Sequence, residues 1–389
     1  MIPYGSFIFF FLIGILLLPT IVLGLLGKSS KIYNMLVSIV ILAVIFGNSK
    51  TGAISIILFT IFQIVLIKGY HHYRKERNNT VVFCMMVILA ILPLVLVKVL
   101  PLLGLNHVFG FLGVSYITFK SVQIVIETRD GMMKKQTLPV GELIYFLLFF
   151  PTVSSGPIDR WRRFEKDVNK TFSKEEYKEL LYLGINSIFR GFLYKFILAF
   201  LIYNKILVYL PDHATYIHSP FWANVAYMYT YSFYLFFDFA GYSAFAIGVS
   251  YLMGVKTPEN FNMPFISKNI KDFWNRWHMS LSFWFRDYVY MRFVFWMTKK
   301  KWIKNRYTVS NIGYFLLFFI MGVWHGLEWH FIIYGLYHAA LIIGYDFFDR
   351  WNRKHKLWPK NKFTHIVSVF ITFNFICFGF YIFSGQLFK

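Results

Sequence analysis

Phe7-Ile-Phe-Phe-Phe-Leu-Ile-Gly-Ile-Leu-Leu-Leu-Pro-Thr-Ile-Val-Leu-Gly-Leu-Leu26 carries no charge along twenty consecutive residues. Crossing the hydrocarbon core of a bilayer takes about 20 apolar residues of helix, so this run is long enough to span. Similar runs recur near residues 32–47, 51–69, 80–100, 107–126, 141–156, 180–210, 219–254, 309–327, 329–348 and 363–384. Of the 389 residues, 57% are hydrophobic and 22% aromatic, above the roughly 45–50% apolar content of soluble domains. Hydrocarbon tolerates no open sheet edge. The expected fold is therefore all-α and polytopic, with roughly ten to twelve spanning or re-entrant helices plus interfacial amphipathic helices. The 219–254 run is too long for one upright helix and is expected to tilt or break. The first run lacks a basic leader and a small-residue cleavage site, and Lys28 and Lys31 follow it. It reads as a retained span with its N-terminus outside.

Forty Lys and Arg against eighteen Asp and Glu give a net charge of +22. The basic residues gather at Arg74–Arg77, Arg160–Lys166, Lys299–Arg306 and Arg350–Lys362. In a chain rich in spans, such clusters set topology and face the anionic inner leaflet, so they are assigned to the cytoplasm. No aromatic-stacking nucleic-acid module accompanies them, and nucleic acid is not an expected partner. The two cysteines, Cys84 and Cys377, lie inside apolar runs without metal-type spacing and read as small hydrophobes.

One membrane domain covering residues 1–389 is expected, with 1–100 as peripheral spans and 107–348 as a catalytic core. Residues 157–180 are polar and partly helical. There Thr171 or Ser173 is placed to cap a helix with Glu175 and Glu176 in its first turn. The segment 271–292 is expected to be one amphipathic helix, with Asp272, Asn275, Arg276, Ser282 and Arg286 on one side. Trp274, Trp277, Leu281, Trp284, Phe285 and Tyr288 fall on the other, and His278 sits near the border. Asp272 and Arg276 form an i,i+4 pair.

A titratable side chain inside an apolar segment is costly unless it is paired or used. Three stand out. His325, in Gly322-Val-Trp324-His325-Gly326, reads either as a general base for a hydroxyl or as a neutral histidine bonded to a carbonyl. Its flanking glycines allow close approach of a backbone or a substrate. His278 is the second candidate. Asp238, in Phe236-Phe-Asp238-Phe-Ala-Gly241-Tyr242, must be protonated or paired with a buried base. His330 and His338 read as ordinary interfacial or core histidines. No metal site is expected, since His71-His72 is an adjacent pair in a basic loop. Nor is there a phosphate-cradling glycine loop or a Gly-x-Ser-x-Gly elbow.

Four blocks occur in order: Phe150-Pro-Thr-Val-Ser-Ser-Gly-Pro-Ile-Asp-Arg160, Phe237-Asp-Phe-Ala-Gly-Tyr-Ser243, Asp272-Phe-Trp-Asn-Arg-Trp-His-Met-Ser-Leu-Ser282 and Gly322-Val-Trp-His-Gly326. In this set the chain resembles the membrane-bound O-acyltransferase superfamily over about residues 110–345. Met1-Ile-Pro-Tyr-Gly5 and Arg286-Asp-Tyr-Val-Tyr-Met-Arg292 look like the branch that serves the D-alanine pathway of Gram-positive teichoic acids. Alginate-type acetyltransferases share the Arg-Asp-Tyr portion but continue with Ile-Pro-Leu-Gly-Gly, which is absent here. The resemblance implies a bacterial cell-membrane enzyme that passes D-alanyl groups from an acidic carrier protein to hydroxyls of lipoteichoic acid outside. The donor thioester would arrive on the carrier's phosphopantetheine, with no tightly bound cofactor and no metal. A small single-span membrane partner is implied as well. The family's invariant histidine corresponds to His325 and its second polar position to His278.

These implications agree with the residues. A thioester is already activated, so the site needs a base, a donor for the developing oxyanion and exclusion of water. His325 is expected to be the base and His278 to support it. Asp238, Arg276, Trp324 and Ser282 are expected to assist, and Lys299, Lys300, Lys301, Arg286 and Arg292 to dock the carrier. Three other readings compete: O-acetylation of an extracellular polysaccharide, non-enzymatic transport or flipping of an activated acyl carrier, and a structural scaffold for the other proteins of the pathway, in which histidine substitutions would be silent. Transporters more often show inverted repeats, and none is found here.

Overall fold

The structure, a computed structural model, describes residues 1–105, 110–133, 137–210 and 220–388. It is helical, with no strand among the described residues. Among the described residues, eight helices are long and apolar enough to cross a bilayer: Phe7–Leu25, Lys50–Glu76, Thr80–Leu103, Lys174–Tyr209, Pro220–Leu252, Arg306–His325, Trp329–His355 and Lys362–Phe383. Polar residues at the head of several runs start them. Ser49 accepts from Gly52 N and Asn79 from Val81 N, satisfying donors that a helix leaves open in its first turn.

The chain divides into two compact units, Met1–Gly191 with Gly241–Pro258, and Phe192–Ala240 with Glu259–Lys389. The first contains α1 (Phe7–Leu25), α2 (Lys31–Phe46), α3 (Lys50–Glu76), α4 (Thr80–Val99), α5 (Val114–Arg129), α6 (Val140–Leu147), α7 (Trp161–Val168) and nearly all of α8 (Lys174–Phe192). Three expected spans differ, the first being the 32–47 run, which forms only the 16-residue α2. Over the described part of 107–126 the chain forms α5, 16 residues long and almost wholly buried, with Lys120, Gln123 and Glu127 among the buried side chains. The 141–156 run yields only the eight-residue α6, followed by a 3-10 turn that holds Pro151. Proline has no N–H with which to continue a helix, and near the end of α6 the carbonyl of Phe146 accepts instead from Lys120 Nζ at 2.9 Å. Residues 106–109 lie outside the described residues.

The expected cap is present at α8. Ser173 Oγ accepts from Glu176 N, and Glu176 Oε2 accepts from Ser173 N at 3.0 Å. Within this unit the 241–258 segment packs its Phe245 ring on Phe10 at 4.5 Å. Gly184 and Gly248 let α8 meet that segment backbone to backbone, since a Cβ on Gly248 would lie 2.7 Å from the Gly184 carbonyl.

The second unit starts with a π-helical stretch, Leu193–Ala199, and α9 (Phe200–Lys205), and it takes residues 220–240 of α10 (Pro220–Leu252). It continues with α11 (Ile270–Trp274), α12 (Met279–Phe285), a second π stretch at Arg286–Tyr290, α13 (Met291–Lys300), α14 (Arg306–His325), α15 (Trp329–His355) and α16 (Lys362–Phe383). The single helix expected over 271–292 is interrupted: α11 stops at Trp274 and α12 begins at Met279. Tertiary hydrogen bonds displace the helical ladder there. Met279 N donates to Asn260 O and Asn262 N to Arg276 O, both at 2.9 Å. The unequal sides of the expected wheel accordingly fail in part, and Ser282 is buried rather than on a wet face.

Candidate active site

His278 occupies the junction between α11 and α12 in a left-handed conformation, φ 42° and ψ 51°. Non-glycine residues seldom sit there, and such strain persists only where surroundings over-determine it. The surroundings are specific. Asn260 Oδ1 accepts from Ser280 Oγ at 2.6 Å, Ser282 Oγ donates to Trp277 O at 3.1 Å, and Arg276 bonds Asp272 Oδ1 at 2.9 Å and Asn262 O at 3.3 Å. Arg276 and Ser282 thus act on the backbone that carries the imidazole. The ring itself is buried, stands edge-on to Phe239 at 4.7 Å, and its Nε2 meets no hydrogen-bond partner among the described residues. Burial, and secondarily the proximity of His325, pushes its pKa down to about 3, so it is neutral at physiological pH.

His325 is the last residue of α14. Its half-buried ring lies within a ring of aromatics: Trp324 at 4.6 Å, Phe383 at 5.0 Å, Tyr334 at 6.0 Å and Phe331 at 6.3 Å between centroids. Gly322 and Gly335 allow α14 and α15 to touch backbone to backbone, for a Cβ on Gly335 would sit 2.4 Å from Phe318 O. The glycines beside His325 therefore serve helix packing: Gly322 meets the α15 backbone, and Gly326 faces the Phe331 ring. His278 and His325 come close enough to influence each other's charge.

Asp238 has its base. Lys195, in the first π stretch, donates to its Oδ1 at 2.5 Å. π segments tend to occur where a side chain must be re-aimed. Sequence reasoning left Asp238 either protonated or paired and named no partner, although a lysine inside the 180–210 apolar run was a visible signal. It also missed Asn260 and Tyr334. His338 is wholly buried among Trp274, Tyr334 and Phe318, and His330 pairs with Glu328 at 3.4 Å.

The carrier-docking candidates line one stretch. Arg286 is exposed, pairs with Asp287 and lies over the Phe283 ring at 4.6 Å. Arg292 is on α13, and Lys299, Lys300 and Lys301 are exposed at its end, beside the exposed rings of Phe295, Trp296 and Trp302. A cavity of about 300 Å³ opens beside this stretch, lined among others by Asn275, Ser282, Arg286 and Tyr314. The first block, 150–160, belongs to the other unit. There Asp159 pairs with Arg163, and Ser154 Oγ bonds Tyr242 Oη.

A membrane-embedded helical chain with a neutral buried imidazole beside a half-buried one has the equipment for acyl transfer to a hydroxyl. Residues 53–387 match the model of the MBOAT, membrane-bound O-acyltransferase family, and the chain belongs to that family. It is a multi-pass protein of the bacterial cell membrane. It is 61% identical to the teichoic acid D-alanyltransferase of Bacillus subtilis over 100% of this chain and 99% of the relative. Identity to the enzyme of the same name from Lacticaseibacillus rhamnosus is 45%, over 100% and 98%. A Pseudomonas aeruginosa protein named probable alginate O-acetylase is 33% identical over 60% of this chain and 42% of its own length.

Proposed function

We propose that this chain transfers D-alanyl groups to the hydroxyls of teichoic acid, acting as one acyltransferase domain with 107–348 as its catalytic core. End-to-end likeness to D-alanyltransferases, against partial likeness to an acetylase, supports this substrate over the polysaccharide alternative. The observation that carries the mechanism is the buried imidazole of His278, held in a left-handed turn with an Nε2 that has no hydrogen-bond partner among the described residues. The donor is a thioester on the phosphopantetheine of an acidic carrier protein, and no resident cofactor takes part.

His325 takes the proton of the acceptor hydroxyl as its oxygen attacks the thioester carbonyl carbon. The C–O bond forms, the C–S bond breaks, and the proton passes from the imidazolium to the departing thiolate. Neutral His278 orients the thioester or steadies its developing oxyanion. Arg276, Ser282 and Trp324 hold the two rings, and Asp238 supports the site through Lys195. The small single-span partner relays the acyl group or positions the carrier. Lys299, Lys300, Lys301, Arg286 and Arg292 attract the carrier's acidic surface, with the exposed aromatics setting register.

Two experiments test this. Purified protein given D-alanyl-loaded carrier should release the carrier thiol and D-alanylate acceptor, and His325→Ala should lose about 10²–10⁴-fold. A mutant that keeps a tenth of the native rate refutes the base. Charge reversal across Lys299–Lys301 should weaken carrier binding, as should salt that shortens the Debye length below ~8 Å. Binding indifferent to both places the docking surface elsewhere.

A further inference from the structure

Asn224, Tyr227, Tyr231, Tyr234 and Asp238 follow one another on α10 at spacings of three, four, three and four. That is one face of a helix, and at 1.5 Å per residue the stripe is about 21 Å long. Tyr227 and Tyr231 stack with centroids 5.7 Å apart, and Tyr203 of α9 packs on Tyr234 at 5.2 Å. All of these rings are at least partly exposed. Other phenols of this unit find protein acceptors: Tyr229 bonds Asn374, Tyr381 bonds Asn224 and Tyr337 bonds Phe375 O. The hydroxyls of Tyr203, Tyr231 and Tyr234 find none among the described residues. Lipid tails offer such groups nothing, so a row of open hydroxyls on a bilayer-length helix calls for a polar occupant.

The stripe also has direction. Its Asn224 end meets Tyr381, nineteen residues up α16 from Lys362, or about 28 Å from the basic cluster assigned to the cytoplasm. Beside the middle of the stripe, Tyr231 is in electrostatic reach of Tyr334, against which His325 packs.

Resting on the reading above, we propose that Tyr203, Asn224, Tyr227, Tyr231 and Tyr234 form the track on which the acceptor, a polyol-phosphate chain, lies while one of its hydroxyls reaches His325. Phenol and amide groups bond the chain's hydroxyl and phosphate oxygens, and the ring faces cover its methylenes. Near-neutrality at the inner end, where Asp238 is matched by Lys195, avoids repelling a phosphate.

The test uses the intact protein in vesicles, with D-alanyl-loaded carrier as donor and soluble glycerol-phosphate oligomers of increasing length as acceptors. Native KM for the acceptor should fall as the oligomer lengthens, then level off when the track is filled. Tyr231→Phe and Tyr234→Phe keep the rings, and each should raise KM for long oligomers roughly three- to tenfold. The double variant should lose the length dependence while KM for the carrier stays put. An unchanged or lowered acceptor KM in the double variant means that lipid covers the stripe, and overturns the track. So does a matching loss for carrier and acceptor, which marks a structural role. A native protein that D-alanylates no oligomer overturns the functional reading itself, and the track with it.

Discussion

Removing Lys195 separates two roles for Asp238. A fully buried pair stripped of one partner costs about 3–5 kcal/mol, whereas exposed pairs contribute about 0.2–1 kcal/mol. The side chain of Lys195 is 20% exposed and that of Asp238 40%, so Lys195→Met should cost about 1–3 kcal/mol, between those limits. The charge left on Asp238 accounts for most of the loss. Adding Asp238→Asn should therefore restore much of the stability, with a coupling of about 1–2 kcal/mol. The assay is thermal unfolding of detergent-solubilised protein for the native chain, both single variants and the double, with D-alanyl transfer measured in parallel. If Asp238 serves only to balance Lys195, transfer recovers along with stability. A double variant that is stable and inactive would show that the carboxylate itself takes part in the reaction. Strict additivity of the two single variants would refute the ion-pair argument altogether.

Gly335→Ala should destabilise by about 1–3 kcal/mol and depress transfer, because the new methyl would meet Phe318 O at 2.4 Å; unfolding midpoint and rate check it together. Ser173→Ala should cost about 1 kcal/mol in thermal unfolding through loss of the α8 cap, with transfer unchanged. His278 gives a pH dependence of definite sign. Its unfolded pKa is near 6.5 and its folded pKa about 3, so between them the unfolded chain binds the extra proton. Stability should therefore be full above pH ~6.5 and fall toward pH ~3, and His278→Gln should flatten the slope in a pH-resolved melting series. A cysteine at position 325 should react with a membrane-impermeant thiol reagent added outside, since α14 carries it about 28 Å from Arg306. Labelling from the cytoplasm alone would reverse the proposed direction of transfer.

Helix class and most boundaries were legible because period and length survive burial. Trp329–His355 and Lys362–Phe383 begin within a residue of where their apolar runs do. The Ser173 cap was legible for the same reason, being a local pattern. What failed was decided at a distance. The break before His278 comes from Asn260 and Asn262, a loop away in sequence, and no helical wheel contains that information. α6 looked like a span because the apolar run continues past Pro151, and only the buried Lys120 shows where its last carbonyls are satisfied. The site divides likewise. Titratable groups in apolar runs pointed to His278, His325 and Asp238, while Tyr334 and the hydroxyl stripe looked like ordinary aromatic content.

The backbone at His278 decides how its mutants are to be interpreted. At φ 42° histidine occupies a region it enters several-fold more readily than alanine does, so an inactive His278→Ala protein has lost both the imidazole and a residue suited to that backbone. Asparagine tolerates that region and glycine enters it freely. Comparing His278→Asn and His278→Gly with His278→Ala separates the two causes: equal loss in all three assigns the defect to the ring, and a defect confined to alanine assigns it to the turn.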